Sequence, residues 1–338
     1  MPANGAGYAG VLNLVEWPET DATPRLMKDP DLTLGIDLGG TKMAFAHVDA
    51  RGGIVKHLTM PRPATAAEME TVPVEVAHSL LNPRISAVGI GAAGLVDAEA
   101  GVLVWGPNVE GREVRFREIF EAELGLPTVV DNDTNVSGLA EARVGAARGY
   151  RHVCMITLGT GIGGAWVIDG RPYRGRGFAG EVGHIPVDVG GPRCTCGQRG
   201  CWEAFASGRR LDQMARDLAA ARPGGLVAKL ARGESPEGGH LTRAAMEGDP
   251  DATGALQEVA LWLGVGIAGL VAAMDPEIVV VGGGVSQVGD LFLDTARESF
   301  RDALEGSDHR DPTPIVCAAL KEDAGVIGAG LHAREMLL

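Results

Sequence analysis

Twice in this 338-residue chain an apolar stretch runs into a cluster of glycines and straight out into a second apolar stretch. The first unit is 32–38, then Gly39-Gly40-Thr41, then 43–48. The second is 153–158, then Gly159-Thr160-Gly161-Ile162-Gly163-Gly164, then 165–168. Short apolar runs bounded by glycine read as strands. Each unit is therefore a hairpin, and its recurrence predicts two similar domains. Segments 54–59, 85–90, 128–130 and 278–281 read as further strands. Helix patterns cover 65–81, 112–124 and about 133–147. The clearest helix follows Asp249 and Pro250, an N-cap and first-turn pair, with Leu256, Val259, Leu263, Ile267, Leu270 and Met274 recurring on one face. Alternating strands and helices place the chain in the α/β class.

Gly159, Gly161 and Gly164 fit the G-x-G-x-x-G spacing of dinucleotide folds. That fingerprint requires a helix after the glycines, and here an apolar strand follows. The same holds after Gly39-Gly40-Thr41-Lys42, and no G-x-x-x-x-G-K-[ST] motif is present. A third cluster, Gly282-Gly283-Gly284, follows the strand at 278–281. Any one such loop is most simply a tight turn. Three of them after three strands suggest backbone N–H groups placed to cradle phosphates. Asp37, just ahead of the first loop, is suited to hold Mg²⁺ through water.

His184 is followed by Cys194, Cys196 and Cys201 in the pattern H-x9-C-x-C-x4-C. One imidazole and three thiolates make a closed tetrahedral zinc site, and with no ligand position left open the metal is structural. Cys154 and Cys317 fall in apolar strands and read as core. Asp133 follows a strand at the start of a helix. On position alone it reads as an N-cap. A strand's C-terminal end also faces the ligand crevice of an α/β sheet, where an aspartate can accept a hydroxyl proton. Glu181 and Glu203 flank the His-Cys cluster. They are either solvated loop charges or acceptors for vicinal hydroxyls.

The net charge of -14 argues against nucleic acid and anionic membranes as partners. No signal peptide and no apolar run of membrane-spanning length is evident, so the reading is cytoplasmic. Residues 1–31 carry no sustained period and read as a flexible extension.

Asp37-Leu38-Gly39-Gly40-Thr41-Lys42 resembles the first phosphate motif of the actin-like sugar kinases. Gly159-Thr160-Gly161-Ile162-Gly163-Gly164 resembles their second, and Gly282-Gly283-Gly284 their adenosine-side glycines. Gly180-Glu181-Val182-Gly183-His184, with the segment from Cys194 to Cys201-Trp202-Glu203, is similar to the signature of the ROK family (repressors, open reading frames and kinases). The resemblance runs from about residue 32 to the C-terminus, and within the family it is strongest to bacterial ATP-dependent glucokinases.

It implies a two-domain actin-like (ribonuclease H-like) ATPase fold with an active-site cleft between the domains. The small domain would be 32–130 with a C-terminal helix, 322–338, and the large domain 131–321 with the zinc loop. It further implies a hexose and Mg²⁺-ATP as substrates, Asp133 as general base toward the 6-hydroxyl, and a homodimer or homotetramer. Asn132, Glu181, His184, Glu203, Asp133, Asn108 and Gly94 fall on sugar-side positions. Asp37, Gly39, Gly40, Thr41, Lys42, Gly159, Thr160, Gly161, Gly163 and Gly282–284 fall on nucleotide-side positions. Relatives acting on N-acetylmannosamine, N-acetylglucosamine or fructose use much the same contacts. Regulators of the family carry a basic DNA-binding domain ahead of the first motif. The 31 residues preceding it here are short and not basic, which argues against that reading.

Overall fold

A computed structural model describes residues 31–106, 109, 113–284 and 289–337. Asn108 and the extension up to residue 30 lie outside these described residues. The chain divides into two compact units, one holding residues up to 140 together with 323–338, the other 141–322.

The first unit is built on a five-stranded sheet in the order β3-β2-β1-β4-β7. Its strands are β1 (Leu32–Leu38), β2 (Lys42–Val48), β3 (Ile54–Pro61), β4 (Ile85–Ala92) and β7 (Thr128–Asn132). β1 to β3 form an antiparallel meander, and β4 and β7 continue in parallel from β1. A small hairpin, β5 (Leu95–Asp97) and β6 (Val102–Trp105), follows β4. Helix α1 (Ala66–Leu80) starts in a capping box: the Thr65 side chain accepts from the Glu68 N–H, and Glu68 answers at the Thr65 N–H. α2 (Phe116–Leu124) buries Phe116 and Phe120 in the same core. α9 (Ala324–Leu337) lies so close to the sheet that a Cβ on Gly35 or Gly89 would collide with its carbonyls.

The second unit repeats this plan. Its sheet runs β10-β9-β8-β11-β12, from β8 (Val153–Leu158), β9 (Ile162–Ile168), β10 (Arg171–Tyr173), β11 (Ile278–Gly282) and β12 (Ile315–Cys317). Again a meander of three antiparallel strands is extended by two parallel ones. α3 (Asp133–Val144) carries the chain from the first unit into the second. α4 (Gly208–Ala221), α5 (Leu226–Ala231), α6 (Gly238–Met246), α7 (Pro250–Met274) and α8 (Asp290–Ala303) complete it.

The Asp249 side chain caps α7 by accepting from the N–H groups of Asp251 and Ala252. α7 is long and apolar enough by composition to cross a membrane, yet its apolar face fills the core of this unit. Met274, read as part of that face, is exposed at the helix end. Cys154 is core as expected, whereas Cys317, on the edge strand β12, is only half-buried.

Candidate active site

In the first unit the parallel strands deliver their C-terminal ends to one edge of the sheet. Asp37 in β1 pairs across to Gly91 in β4, and Gly91 pairs to Asp131 in β7. The elbow that follows, Asp131-Asn132-Asp133, is cross-braced. Asp131 Oδ1 accepts from the Asn132 N–H at 2.8 Å and from Asn135 Nδ2 at 2.9 Å. His332 Nε2 of α9 lies 3.7 Å from Asp131 Oδ2, both side chains buried.

The cap of α3 is Asn132 rather than Asp133. Asn132 Oδ1 accepts from the N–H groups of Thr134 (2.8 Å) and Asn135 (3.2 Å), while its Nδ2 donates to the Gly94 carbonyl at 3.0 Å. Gly94 has φ +127, a conformation open to glycine, and the Trp105 carbonyl occupies the space of a Cβ. Asp133 is thereby released from capping. Its Oδ1 accepts from Thr134, at the N–H (2.8 Å) and more weakly at the hydroxyl (3.4 Å).

Burial pushes the Asp133 carboxyl above its ordinary range, against the pull of the Thr134 hydrogen bonds and the Arg62 charge. Burial, aided by the charge of Asp133, pushes Asp37 up to about 7, and Lys42 pulls the other way. Asp37 Oδ1 is buried and makes no hydrogen bond among the described residues. An orphaned carboxylate oxygen of this kind fits a hydrated cation.

The first glycine loop closes β1 to β2, with Gly39 half-buried and Gly40, Thr41 and Lys42 exposed. Lys42 is already the first residue of β2. Arg62, which sequence reasoning missed, donates from Nη1 to the Gly39 carbonyl at 2.6 Å. Its partners are backbone carbonyls some twenty residues away, which leave no mark in residue types.

In the second unit the loop between β8 and β9 is shorter than the sequence reading supposed. β9 begins at Ile162, so Gly163 and Gly164 lie inside the strand, Gly163 opposite Thr157. There is a packing reason: a Cβ on Gly164 would lie 2.5 Å from Val182 Cγ2. Gly159, Thr160 and Gly161 remain as the turn. Gly282 ends β11, and Gly283, at φ +86, sits tight against Leu158.

The turn that carries the His-Glu motif packs directly on β9, because Gly183 lets the Ile162 carbonyl approach where a Cβ would clash. This sets Glu181 just ahead of a short 3-10 turn, Val182–His184, and His184 at its end. The ligand atoms of His184, Cys194, Cys196 and Cys201 all lie within 4.8 Å of one another. Cys194 Sγ is 3.7 Å from His184 Nδ1, and the Sγ atoms of Cys196 and Cys201 are 3.6 Å apart. Such spacings, with three sulfurs and one imidazole, fit a tetrahedral metal of zinc type.

His184 Nε2 points the other way, 4.0 Å from Glu181 Oε2. Glu203 joins this cluster to the glycine turn. Its Oε1 accepts from Cys194 Sγ (3.1 Å) and Thr195 Oγ1 (3.3 Å), and its Oε2 fills the space over Gly161. Arg209 adds a second link, with Nη1 on Thr195 Oγ1 (3.1 Å) and its N–H on the Thr160 carbonyl (3.3 Å). Trp202 anchors the segment in the core, its Nε1 donating to the Trp262 carbonyl at 2.7 Å beside Gly266 of α7.

Residues 33–336 match the ROK family. The chain belongs to this family. This ROK chain is 40% identical to the glucokinase of Streptomyces coelicolor over 310 residues, 90% of this chain and 98% of that protein. The crystal structure of a ROK family glucokinase from Streptomyces griseus in complex with glucose and AMPPNP superposes with a TM-score of 0.82 at 40% identity, covering 90% of this chain and 99% of that one. A putative xylose repressor of a Caldicellulosiruptor species is 32% identical over 89% of this chain and 77% of its own length. The duplicated sheets and these likenesses give the ROK chain the actin-like fold.

Proposed function

We propose that this chain moves the γ-phosphate of ATP onto the 6-hydroxyl of a hexose, glucose first among them. The observation that carries the reading is the elbow after β7. Asn132 caps α3, and Asp133 keeps a carboxylate oxygen for chemistry at a strand's C-terminal end. The 40% identity to glucokinases over nearly the whole chain supports it.

Asp133 accepts the proton of the attacking hydroxyl, and its raised basicity suits that task. Glu181, His184 and Glu203 orient the sugar's ring hydroxyls, with Asn132 and the Gly94 turn supporting the elbow. Asn108 belongs to the same proposed set. Gly39, Gly40, Thr41 and Lys42 bind ATP phosphates, as do Gly159, Thr160 and Gly161. Gly282–284 support the adenosine. Mg²⁺ bound with ATP neutralises phosphate charge, and Asp37 would hold it through water. Zinc on His184, Cys194, Cys196 and Cys201 would fix the loop that presents Glu181 and Glu203.

The test is a coupled ADP-release assay with Mg²⁺-ATP across glucose, mannose, fructose, N-acetylglucosamine and N-acetylmannosamine. Preference for glucose supports the full reading, and preference for an N-acetyl sugar moves the substrate within the same mechanism. No turnover with any sugar, in protein that holds its metal, favours a sugar-binding regulator and defeats the kinase reading.

A further inference from the structure

The first glycine loop has a support that no motif announces. Arg62 follows β3, is only 9% exposed, and reaches that loop with both its side chain and its backbone. Nη1 donates to the Gly39 carbonyl at 2.6 Å and lies 3.5 Å from the Leu38 carbonyl, while the Arg62 N–H donates to the Thr41 carbonyl at 3.1 Å. In a trans peptide the C=O and the next N–H point in opposite directions. Holding the Gly39 carbonyl therefore aims the Gly40 N–H away from Arg62. On that outer side the loop is open, since a Cβ on Gly40 would meet nothing within 4 Å.

A buried guanidinium is expensive unless hydrogen bonds and opposite charge compensate it, and here the loop carbonyls and Asp133 do so. Burial lowers the pKa of Arg62, and the charge of Asp133 opposes that. Arg62 thus acts on Asp133 as Lys42 acts on Asp37.

We propose that Arg62 is a positioning residue for the nucleotide: it locks the Gly39-Gly40-Thr41 peptides with their donors outward and places a positive charge behind the site of the ATP phosphates. The inference rests on the kinase reading above. Arg62 holds the Leu38, Gly39 and Thr41 carbonyls of the nucleotide-side loop, so its loss is read in affinity for ATP more than for hexose, and any effect through its charge on Asp133 is read in kcat. A purely structural arginine would loosen both together.

The experiment compares wild type, Arg62→Gln and Arg62→Lys. It measures KM for ATP and for glucose, calorimetric affinity for a non-hydrolysable ATP analogue, and melting temperature. Arg62→Gln is expected to weaken the nucleotide by about tenfold or more, the worth of a lost charge-assisted hydrogen bond, with glucose KM within about twofold. Arg62→Lys keeps the charge but not the planar fork and falls between. Nucleotide affinity within about twofold of wild type in both variants overturns the proposal, and so does an equal loss for ATP and glucose. If Arg62→Gln does not fold, Arg62→Lys decides by the same two readings. Wild type without turnover on any hexose defeats the kinase reading instead, and the calorimetric affinities of the variants still decide the role of Arg62.

Discussion

The two sheets share strand order, yet among the described residues the carboxylates at the ends of the parallel strands lie in the first. Asp37 in β1 pairs with Gly91, and the matching pair in the second sheet is Thr157 with Gly282. Following the register outward, Asp131-Asn132-Asp133 at the end of β7 corresponds to Ala318-Ala319-Leu320 just past β12. The first elbow holds two carboxylates and a capping amide. The second is apolar, and its N–H groups are satisfied by Glu141, which accepts from Ala319 (3.2 Å) and Leu320 (2.8 Å). One scaffold thus serves two purposes. In the first copy the elbow presents the carboxylate proposed as the base, and in the second the elbow's N–H groups are closed by a glutamate of its own unit. The second copy spends its variation on the segment between β9 and α4, where the His-Cys cluster and Glu203 sit against the glycine turn.

The sharpest way to break this contrast is at Asp133. Asp133→Asn should lower kcat by roughly a thousandfold, within the range of general-base removal, with glucose and ATP still bound. Wild-type turnover would move the base elsewhere.

Asp37→Asn should raise the Mg²⁺-ATP requirement by about tenfold or more, measured as KM for the nucleotide at fixed free Mg²⁺. It also has a stability signature with a definite sign. The folded pKa, about 7, lies above the 3.8 of an ordinary aspartate. Wild-type stability from this group is therefore full below 3.8 and is lost as pH rises through about 7. Without nucleotide or Mg²⁺, Asp37→Asn should melt higher than wild type at pH 8, and the gap should close toward pH 4. A constant gap across that window would show the carboxylate is not buried as described.

Cys196→Ser should lose metal and melting temperature together, by several degrees in thermal scans. Loss of metal at unchanged melting temperature would show that the cluster braces nothing. The smallest effect belongs to the sealed elbow. Glu141→Gln should destabilise by about 1–3 kcal/mol in denaturant titration while leaving kcat per folded enzyme unchanged. A fall in kcat there would blur the division between the two copies.

Much of this was legible in the residues. Glycine bounded by branched apolar runs marked both hairpins, Asp249-Pro250 marked the start of α7, and the H-x9-C-x-C-x4-C spacing marked a cluster whose ligand atoms do converge. Other parts left weaker signals. β10 and β12 are three residues each, too short for a period to register. α8 buries Phe292, Leu293, Ala296 and Phe300 at helical spacing, and α4 buries Leu211, Met214 and Ala215, so both were readable but went unread. The start of β9 at Ile162 was hidden because glycines inside a strand look like a loop. Arg62 and the Asn132 cap depend on carbonyls and N–H groups, which every residue carries, and only the folded backbone reveals which are used.

The central claim is that this chain forms a sugar phosphate by direct transfer from ATP. Phosphorus NMR of wild-type protein with glucose and Mg²⁺-ATP tests it without coupling enzymes. A phosphomonoester resonance of glucose 6-phosphate is expected to grow as the γ-phosphate of ATP disappears. ATP left unchanged, or inorganic phosphate as the sole product, would contradict it.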